Sequence, residues 1–456
     1  VVLSKAGIPS APRQQRIVDH LLEKFDGKLV KQDRDLFSYV GTHWKLFTPG
    51  DHDKLRVLVQ KTCQGNADAK HVNATYQLLM YHIPSPPENV DMFTPHPFCA
   101  NFLNGTLHLR KDAKKYTTEF KPHRALDYLV TVLPYEYEPD ATKRPKNQEF
   151  LGMLERVFDG DHDKGEKIRA VRQMYGACLL PAFPRLFMLH GVPGTGKSTV
   201  INVACRLVHS DNLCSVPPSE WHGFNMESMA NKLVNADTDI PLNSPLDDAM
   251  VKKIIERKPF RLRRKGIKDI MAPIPSVHMF GGNGIPNTLD GASRAHTRRW
   301  TFLGFNAFVP KGEYDQEYWD YCFEQSPEGV LAFALEGLDD LNAHGGHFVN
   351  PRSGQEDIER WQMSTDPVGQ FLAEVDQGEI LDGNSRWERG LGCRVERKKA
   401  WCIFKAACEE NTGKPVSVSK FAFFDILRKK GFEEYRSHGV VYYRGIGVKE
   451  DGAGAF

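Results

Sequence analysis

No apolar run in these 456 residues approaches the ~18 that a membrane-spanning helix needs. With 41% hydrophobic and 26% charged residues, the composition matches soluble globular chains and excludes a membrane span. Paired cysteines are also missing. The nine cysteines (Cys63, Cys99, Cys178, Cys205, Cys214, Cys322, Cys393, Cys402 and Cys408) are odd in number and scattered. None forms the C-x-x-C pair of a zinc ribbon or redox motif, so they read as reduced thiols of a cytosolic chain. There is little net charge: 60 Lys and Arg against 58 Asp and Glu leave +2. Internal repeats and low-complexity tracts are absent. The first residues, Val1-Val2-Leu3-Ser4-Lys5, have neither an initiator methionine nor a signal-type core and read as a cut from something longer.

The length suggests roughly three domains of about 150 residues each. Ile17, Leu21, Leu22 and Phe25 recur at helical spacing over 11–25, Leu36 to Phe47 reads as a hairpin around Gly41-Thr42, and helices are expected near 52–64 and 67–82. A second hairpin is expected where Phe102 to Leu109 alternates around Asn104-Gly105. From about 145 the pattern changes. Helices at 147–158 and 164–178 lead into the apolar strand Arg185 to Leu189, and strand and helix then alternate to about 340, as in an α/β domain. Residues 346–385 read as a polar connector with a helix near 366–376. Over 386–449, helices near 397–410 and 419–430 precede Val440 to Val448, which reads as a winged helix. That last segment holds 15 Lys and Arg against 7 Asp and Glu. A basic domain appended to an acidic α/β core suggests a nucleic-acid contact, with a solvated basic face as the alternative.

Gly191-Val192-Pro193-Gly194-Thr195-Gly196-Lys197-Ser198 fits G-x-x-x-x-G-K-[ST]. It follows an apolar strand and opens a helix from Lys197 to about Val208. Glycines let the backbone curl so that successive N–H groups of 191–199, through Thr199, face a phosphate at a helix N-terminus. Lys197 then reaches the β- and γ-phosphates of ATP and the Ser198 hydroxyl ligates Mg²⁺. Asp237 and Asp239 lie 39 and 41 residues after Ser198. On an extended segment both face one side, so both can approach the metal or polarise the attacking water. The alternative is that they cap the turn at Ile240-Pro241. A further strand, Pro275 to Gly282, ends in Asn283, whose neutral amide can orient the water, although Asn before Gly284 also suits a plain turn. Arg298 and Arg299, with Arg294 upstream, bring planar, permanently charged forks suited to a γ-phosphate, in an oligomer on a neighbour's nucleotide.

This series, glycine loop, Asp-rich strand, strand ending in Asn, then Arg-Arg within about 110 residues, resembles superfamily-3 helicases, and more closely the phage, plasmid and poxvirus replicative primase-helicase group. Phe102 to Leu109 looks like that group's N-G-x-L-x-L segment. Phe150 to Leu154, Asp366 to Leu372 and Tyr443 to Gly447 also have counterparts there. One departure stands out: these helicases commonly carry glutamate where Asp239 stands, which leaves open whether Asp239 or Asp237 activates water and which holds Mg²⁺. Between 252 and 268 there are nine basic residues and one acidic. In the family a hairpin at this place grips the strand in a central channel, which the resemblance assigns to Arg263, Arg264, Lys265 and Lys268. Local chemistry agrees, because Lys and Arg on phosphates give sequence-independent binding.

The resemblance implies an α/β, P-loop AAA+-like motor (181–345) with an N-terminal α+β cap (1–115), a helical collar (116–180), a connector (346–385) and a basic winged-helix-like domain (386–456). It implies an ATP- and Mg²⁺-dependent DNA helicase of phage- or plasmid-type replication, cytoplasmic in a bacterial host. Such a motor works as a ring, expected to be a hexamer, on single-stranded DNA or a forked duplex, and leaves room for a primase-polymerase upstream of Val1. The competing readings are an AAA+ loader or remodelling ATPase acting on protein, and a small-molecule kinase. Two other motifs imitate metal sites. Asp159-Gly160-Asp161-His162-Asp163 starts like an EF-hand, but Lys164 and Ala170 replace its glycine and final glutamate. Asp51-His52-Asp53 opens a helix after Pro49-Gly50, where an aspartate caps.

Overall fold

The computed structural model describes residues 11–63, 68–112, 115–242, 246–265, 268–286, 297–308, 318–365, 368, 369, 371, 372, 375, 385–412 and 418–450. These fall into two compact units, the first running through Pro286 and on to Gln355, the second from Glu356.

The first unit begins with α1 (Ala11–Phe25), the meander β1 (Leu29–Gln32), β2 (Asp35–Tyr39) and β3 (Trp44–Leu46), then α2 (Pro49–Thr62) and α3 (Ala69–His82). Thr48 and Asp51 form a reciprocal capping box at the start of α2, so Asp51 is a cap, as its position after Pro49-Gly50 suggested. Ile17, Leu21, Leu36, Val59, Tyr76 and Leu79 close a small core of their own.

A second meander follows: β4 (Cys99–Phe102), β5 (Gly105–Asp112) and β6 (Lys115–Lys121). Phe102 pairs with Gly105, so Leu103-Asn104 form the two-residue turn. β6 corrects the expected domain limits. Asp112 pairs with Lys115, so a boundary between 115 and 116 would cut a hairpin. The expected helical collar is helical only from α4 (Gln148–Val157) and α5 (Lys164–Leu179) onward. Nor do these parts have separate interiors. Ala100, Phe102 and Leu107 of the meander share one core with Phe150, Met174, Phe187, Val200 and Leu338.

At the centre lies a five-stranded sheet, parallel at every pairing: β7 (Leu186–His190), β8 (Leu213–Cys214), β9 (Val234–Asp237), β12 (Val277–Gly282) and β13 (Trp300–Gly304). Its spatial order is β13-β7-β12-β9-β8. A sheet covered on both faces needs continuous apolar strands, and Leu186, Phe187, Met188 and Leu189 of β7 are each fully buried. Each contributes roughly 1.5–3 kcal/mol through removal from water. Between β9 and β12 come α7 (Asp248–Ile255) and the antiparallel ribbon β10 (Phe260–Leu262) and β11 (Ile270–Ala272). The helices α6 (Lys197–Val208), α8 (Tyr318–Glu324), α9 (Pro327–Ala343) and α10 (Arg352–Thr365) complete the framework. A mixed α/β architecture around a parallel sheet is therefore present, as the strand and helix alternation required.

In the second unit the expected helices appear as α11 (Arg397–Thr412) and α12 (Lys420–Lys429), followed by the hairpin β15 (Glu434–Ser437) and β16 (Val440–Glu450). The twelve-residue strand β14 (Ser385–Glu396), which the charged sequence concealed, pairs with β16. Phe404, Phe423, Phe424 and Tyr443 form its interior. Asp366, Pro367 and Gln370 of the expected 366–376 helix lie outside the described residues. Among the described residues no helix is long and apolar enough to cross a membrane.

Candidate functional site

The carboxyl ends of β7, β12 and β13 lie in register, with Gly282 and Gly304 flanking His190. Ligands of open parallel sheets gather at such ends, where strand order reverses. From His190 the chain turns through 191–196 into α6. Gly191 (φ 147°) runs against its neighbour so closely that a Cβ would lie 2.2 Å from the Phe305 carbonyl oxygen. Gly196, left-handed at φ 87°, caps α6, and a Cβ there would lie 2.5 Å from Val157 Cγ1. Only glycine satisfies both the backbone and the space at these two positions.

Lys197 is 7% exposed. Its ammonium donates to the Gly191 and Val192 carbonyls, both at 2.8 Å, and lies 3.4 Å from Thr195 Oγ1. Burial pulls its pKa down and the Asp239 carboxylate opposes that shift, so cation and carboxylate are close enough to interact. Thr195, fully buried, donates its hydroxyl to the Val192 carbonyl at 2.9 Å. A cavity of about 360 Å³ is bounded by Pro193 to Thr199 together with Thr238, Asp239 and Asn283. The Ser198 side chain is exposed at its edge.

Asp237 is not among the residues bounding that cavity. It lines a different one, of about 740 Å³, with Ile201, Cys205 and Trp319. The expectation that both carboxylates face one metal fails because β9 ends at Asp237, so the alternation of an extended strand does not continue to Asp239. Instead the Asp239 N–H donates to Asp237 Oδ1 at 3.1 Å, and Asp237 tethers the turn that presents Asp239. Thr238, which no sequence pattern singles out, joins Asp239 on the cavity. Asn283 follows β12 directly and is exposed on the cavity.

The two arginines separate. Arg298 is exposed. Arg299 is 5% exposed, with Asp248 at 4.0 Å and Glu256 at 3.6 Å. Arg299 is thereby corrected to a structural cation bracing α7. Arg294 lies outside the described residues.

The basic ribbon also divides. Arg263 and Lys265 are exposed beyond β10. Arg264, with a side chain 8% exposed, donates bidentately to Asp35 at 2.6 and 2.7 Å and approaches Glu227 at 3.4 Å. The Asp35 bonds hold its pKa above the usual arginine value. Lys268 pairs with Asp33 at 2.6 Å. The expectation that Arg264 holds nucleic-acid phosphate is corrected, because its side chain is buried against Asp35; Lys268, paired with Asp33 at the β1–β2 turn, keeps a side chain 63% exposed. Gly266 and Ile267 lie outside the described residues.

The false EF-hand is a structural network. The fully buried Lys167 ammonium donates to Asp161 at 2.8 Å and to the Gly304 carbonyl at 2.7 Å. Phe158 packs on Phe305 with ring centroids 4.8 Å apart. Among the described residues, no three His, Cys, Asp or Glu side chains converge as a metal cluster.

Residues 13–159 match a family model described as D5 N terminal like, and residues 189–299 match a family of unknown function, DUF5906. Such domains are typical of phage and plasmid primase-helicase proteins. No curated protein matches the chain. Similar solved structures include the A form apo structure of the NrS-1 C-terminal region, 12% identical with a TM-score of 0.48, covering 95% of this chain and 99% of that one. Another is the apo structure of the same NrS-1 region, 305–718, 13% identical with a TM-score of 0.49, covering 96% of this chain and 100% of that one.

Proposed function

We propose that this chain is an ATP-driven DNA translocase of the superfamily-3 helicase type, acting as a ring, expected to be hexameric, on single-stranded or forked DNA during phage- or plasmid-type replication. The observation that carries the reading is the roughly 360 Å³ cavity, because the glycine loop, Lys197, Ser198, Asp239 and Asn283 all line it. The strand order β13-β7-β12-β9-β8 supports an AAA+-like motor, and the two helices with a β-hairpin in the second unit support a winged helix.

In this reading the loop N–H groups and the positive end of α6 hold the nucleotide phosphates. Lys197 exchanges loop carbonyls for phosphate oxygens. The Ser198 hydroxyl and the Asp239 carboxylate are hard oxygen donors that fit Mg²⁺, a cation that takes one or two protein ligands beside phosphates and waters. When bound, it neutralises phosphate charge. Asp239 also polarises the attacking water and Asn283 orients it. Arg298, exposed and on the segment leading into β13, reaches a neighbouring protomer's nucleotide. Arg263 and Lys265 hold the DNA backbone.

Two measurements test this. ATP hydrolysis should rise on addition of single-stranded DNA, and a forked duplex should be separated; a response to a protein partner but not to DNA would favour a loader instead. Mixing inactive Arg298→Ala with inactive Lys197→Ala protein should restore some hydrolysis, because mixed interfaces pair an intact loop with an intact arginine. No recovery in verified mixed rings rejects the role in trans.

A further inference from the structure

The helices α2 and α3 and the β1–β2 turn enclose a cavity of about 690 Å³, within the range of about 300–1,000 Å³ typical of ligand pockets. At its wall, the His52 Nδ1 and the Tyr76 hydroxyl are 2.7 Å apart, and the Arg56 guanidinium lies 4.8 Å over the Tyr76 ring. Tyr81 also lines it, yet 78% of that residue is in solvent. Its one ring contact among the described residues is edge-on to His82, with centroids 5.5 Å apart, which leaves most of the ring open to a ligand.

The charges around the cavity do not cancel locally. Three cations, Lys31, Arg34 and Arg56, face two carboxylates, Asp33 and Asp53. Asp53 is engaged by Arg56 at 3.1 Å, and Asp33 by Lys268 of the basic ribbon at 2.6 Å. The Lys31 ammonium donates to the Met80 carbonyl and has no ion pair among the described residues. Arg34, exposed in the turn, has no ion pair among the described residues. Two cations are thus left over beside a solvent-facing ring. Because Asp33 both borders the cavity and holds Lys268, the cavity opens beside the tip of the ribbon.

We propose that this cavity is a contact for single-stranded nucleic acid, in which a base stacks on Tyr81 while Arg34 and Lys31 hold the flanking phosphates. The proposal rests on the reading of the chain as a nucleic-acid motor. A ring with adjacent cations is the platform that binds single strands without sequence preference, since every base has a π-face and every nucleotide a phosphate. The exposed Tyr81 ring, for which an acidic peptide or lipid headgroup has no matching group, favours a nucleic acid over either. With both rim carboxylates already paired, the cavity leaves room for a ligand that alternates planar and anionic groups.

The test uses the full chain and a fluorescent oligothymidylate of about 30 nucleotides, with 5-iododeoxyuridine variants for photocrosslinking. Tyr81→Ala should weaken binding by about tenfold, and Tyr81→Phe should restore it, because stacking uses the ring and not the hydroxyl. Arg34→Ala should flatten the dependence on log[salt] by ~0.7, the value for one phosphate contact on a single strand. Crosslinks should map to α3 around Tyr81. Wild-type affinity in Tyr81→Ala, in a chain that still binds the oligonucleotide and hydrolyses ATP, would overturn this contact and leave the motor reading intact. A chain that binds no oligonucleotide would overturn both.

Discussion

The glycine loop at 191–198 and the basic ribbon at 260–272 look equally functional in sequence, yet they behave differently on folding. In the loop every element keeps its expected place: strand, turn, Lys197 and helix, with Asp239 and Asn283 on the same cavity. In the ribbon, Arg264, one of the four cations expected on nucleic acid, is buried instead against Asp35, and Lys268 pairs with Asp33 at the surface. The reason is physical. A phosphate cradle is made of consecutive backbone N–H groups and is specified by local chain geometry. A cationic side chain is available only if no carboxylate reaches it, and that depends on distant sequence.

Breaking the loop should have the largest consequence. Lys197→Ala should reduce ATP hydrolysis by roughly 1,000-fold, the upper end for losing one charge-stabilising donor, with an unchanged circular dichroism spectrum. Next comes Arg264→Ala, which strands the Asp35 carboxylate; removing one partner of a buried pair costs about 3 kcal/mol or more. A fall in the urea midpoint, shared by Asp35→Ala, checks it. An unchanged midpoint would return Arg264 to the pool of free cations.

Asp239→Asn should slow hydrolysis by roughly 100-fold, the lower end for a general base, while Asp237→Asn should cost less than about threefold because Asp237 tethers the turn and lines a separate cavity. Equal losses in steady-state rates would mean that the two carboxylates share the site after all. The smallest effect belongs to the ribbon tip. Arg263→Ala with Lys265→Ala should leave stability and basal hydrolysis unchanged and reduce the salt slope of single-stranded DNA binding by ~1.4, two contacts at ~0.7 each. Should the pair also lower the urea midpoint, the tip is structural like Arg264.

Much of the framework was legible because it is written in short-range pattern. The buried strand at 186–190 and the helix from Lys197 to Val208 follow from an apolar run and a motif of fixed spacing. β6 was missed because Lys115–Lys121 is largely solvent-exposed, so that the alternation of Tyr116 and Phe120 is only partly buried and weak among charged neighbours. β14 was missed because its sequence carries three arginines and two glutamates. The error over Asp237 came from extending a period-two pattern one turn beyond the end of its strand. Arg264 could not be placed from sequence at all, since its partner Asp35 is 229 residues away.

The Lys167 network and the contact between Gly196 and Val157 bear on how the molecule could be cut. A fragment beginning at the β7 strand would keep the whole phosphate motif. It would nonetheless lose Val157, against which Gly196 is fitted, and Phe158, on which Phe305 rests. It would also lose the ammonium that answers the Gly304 carbonyl from 137 positions away. The smallest autonomous piece carrying this loop therefore has to start ahead of α4, and the apparently self-contained motif is inseparable from chain laid down some forty residues earlier.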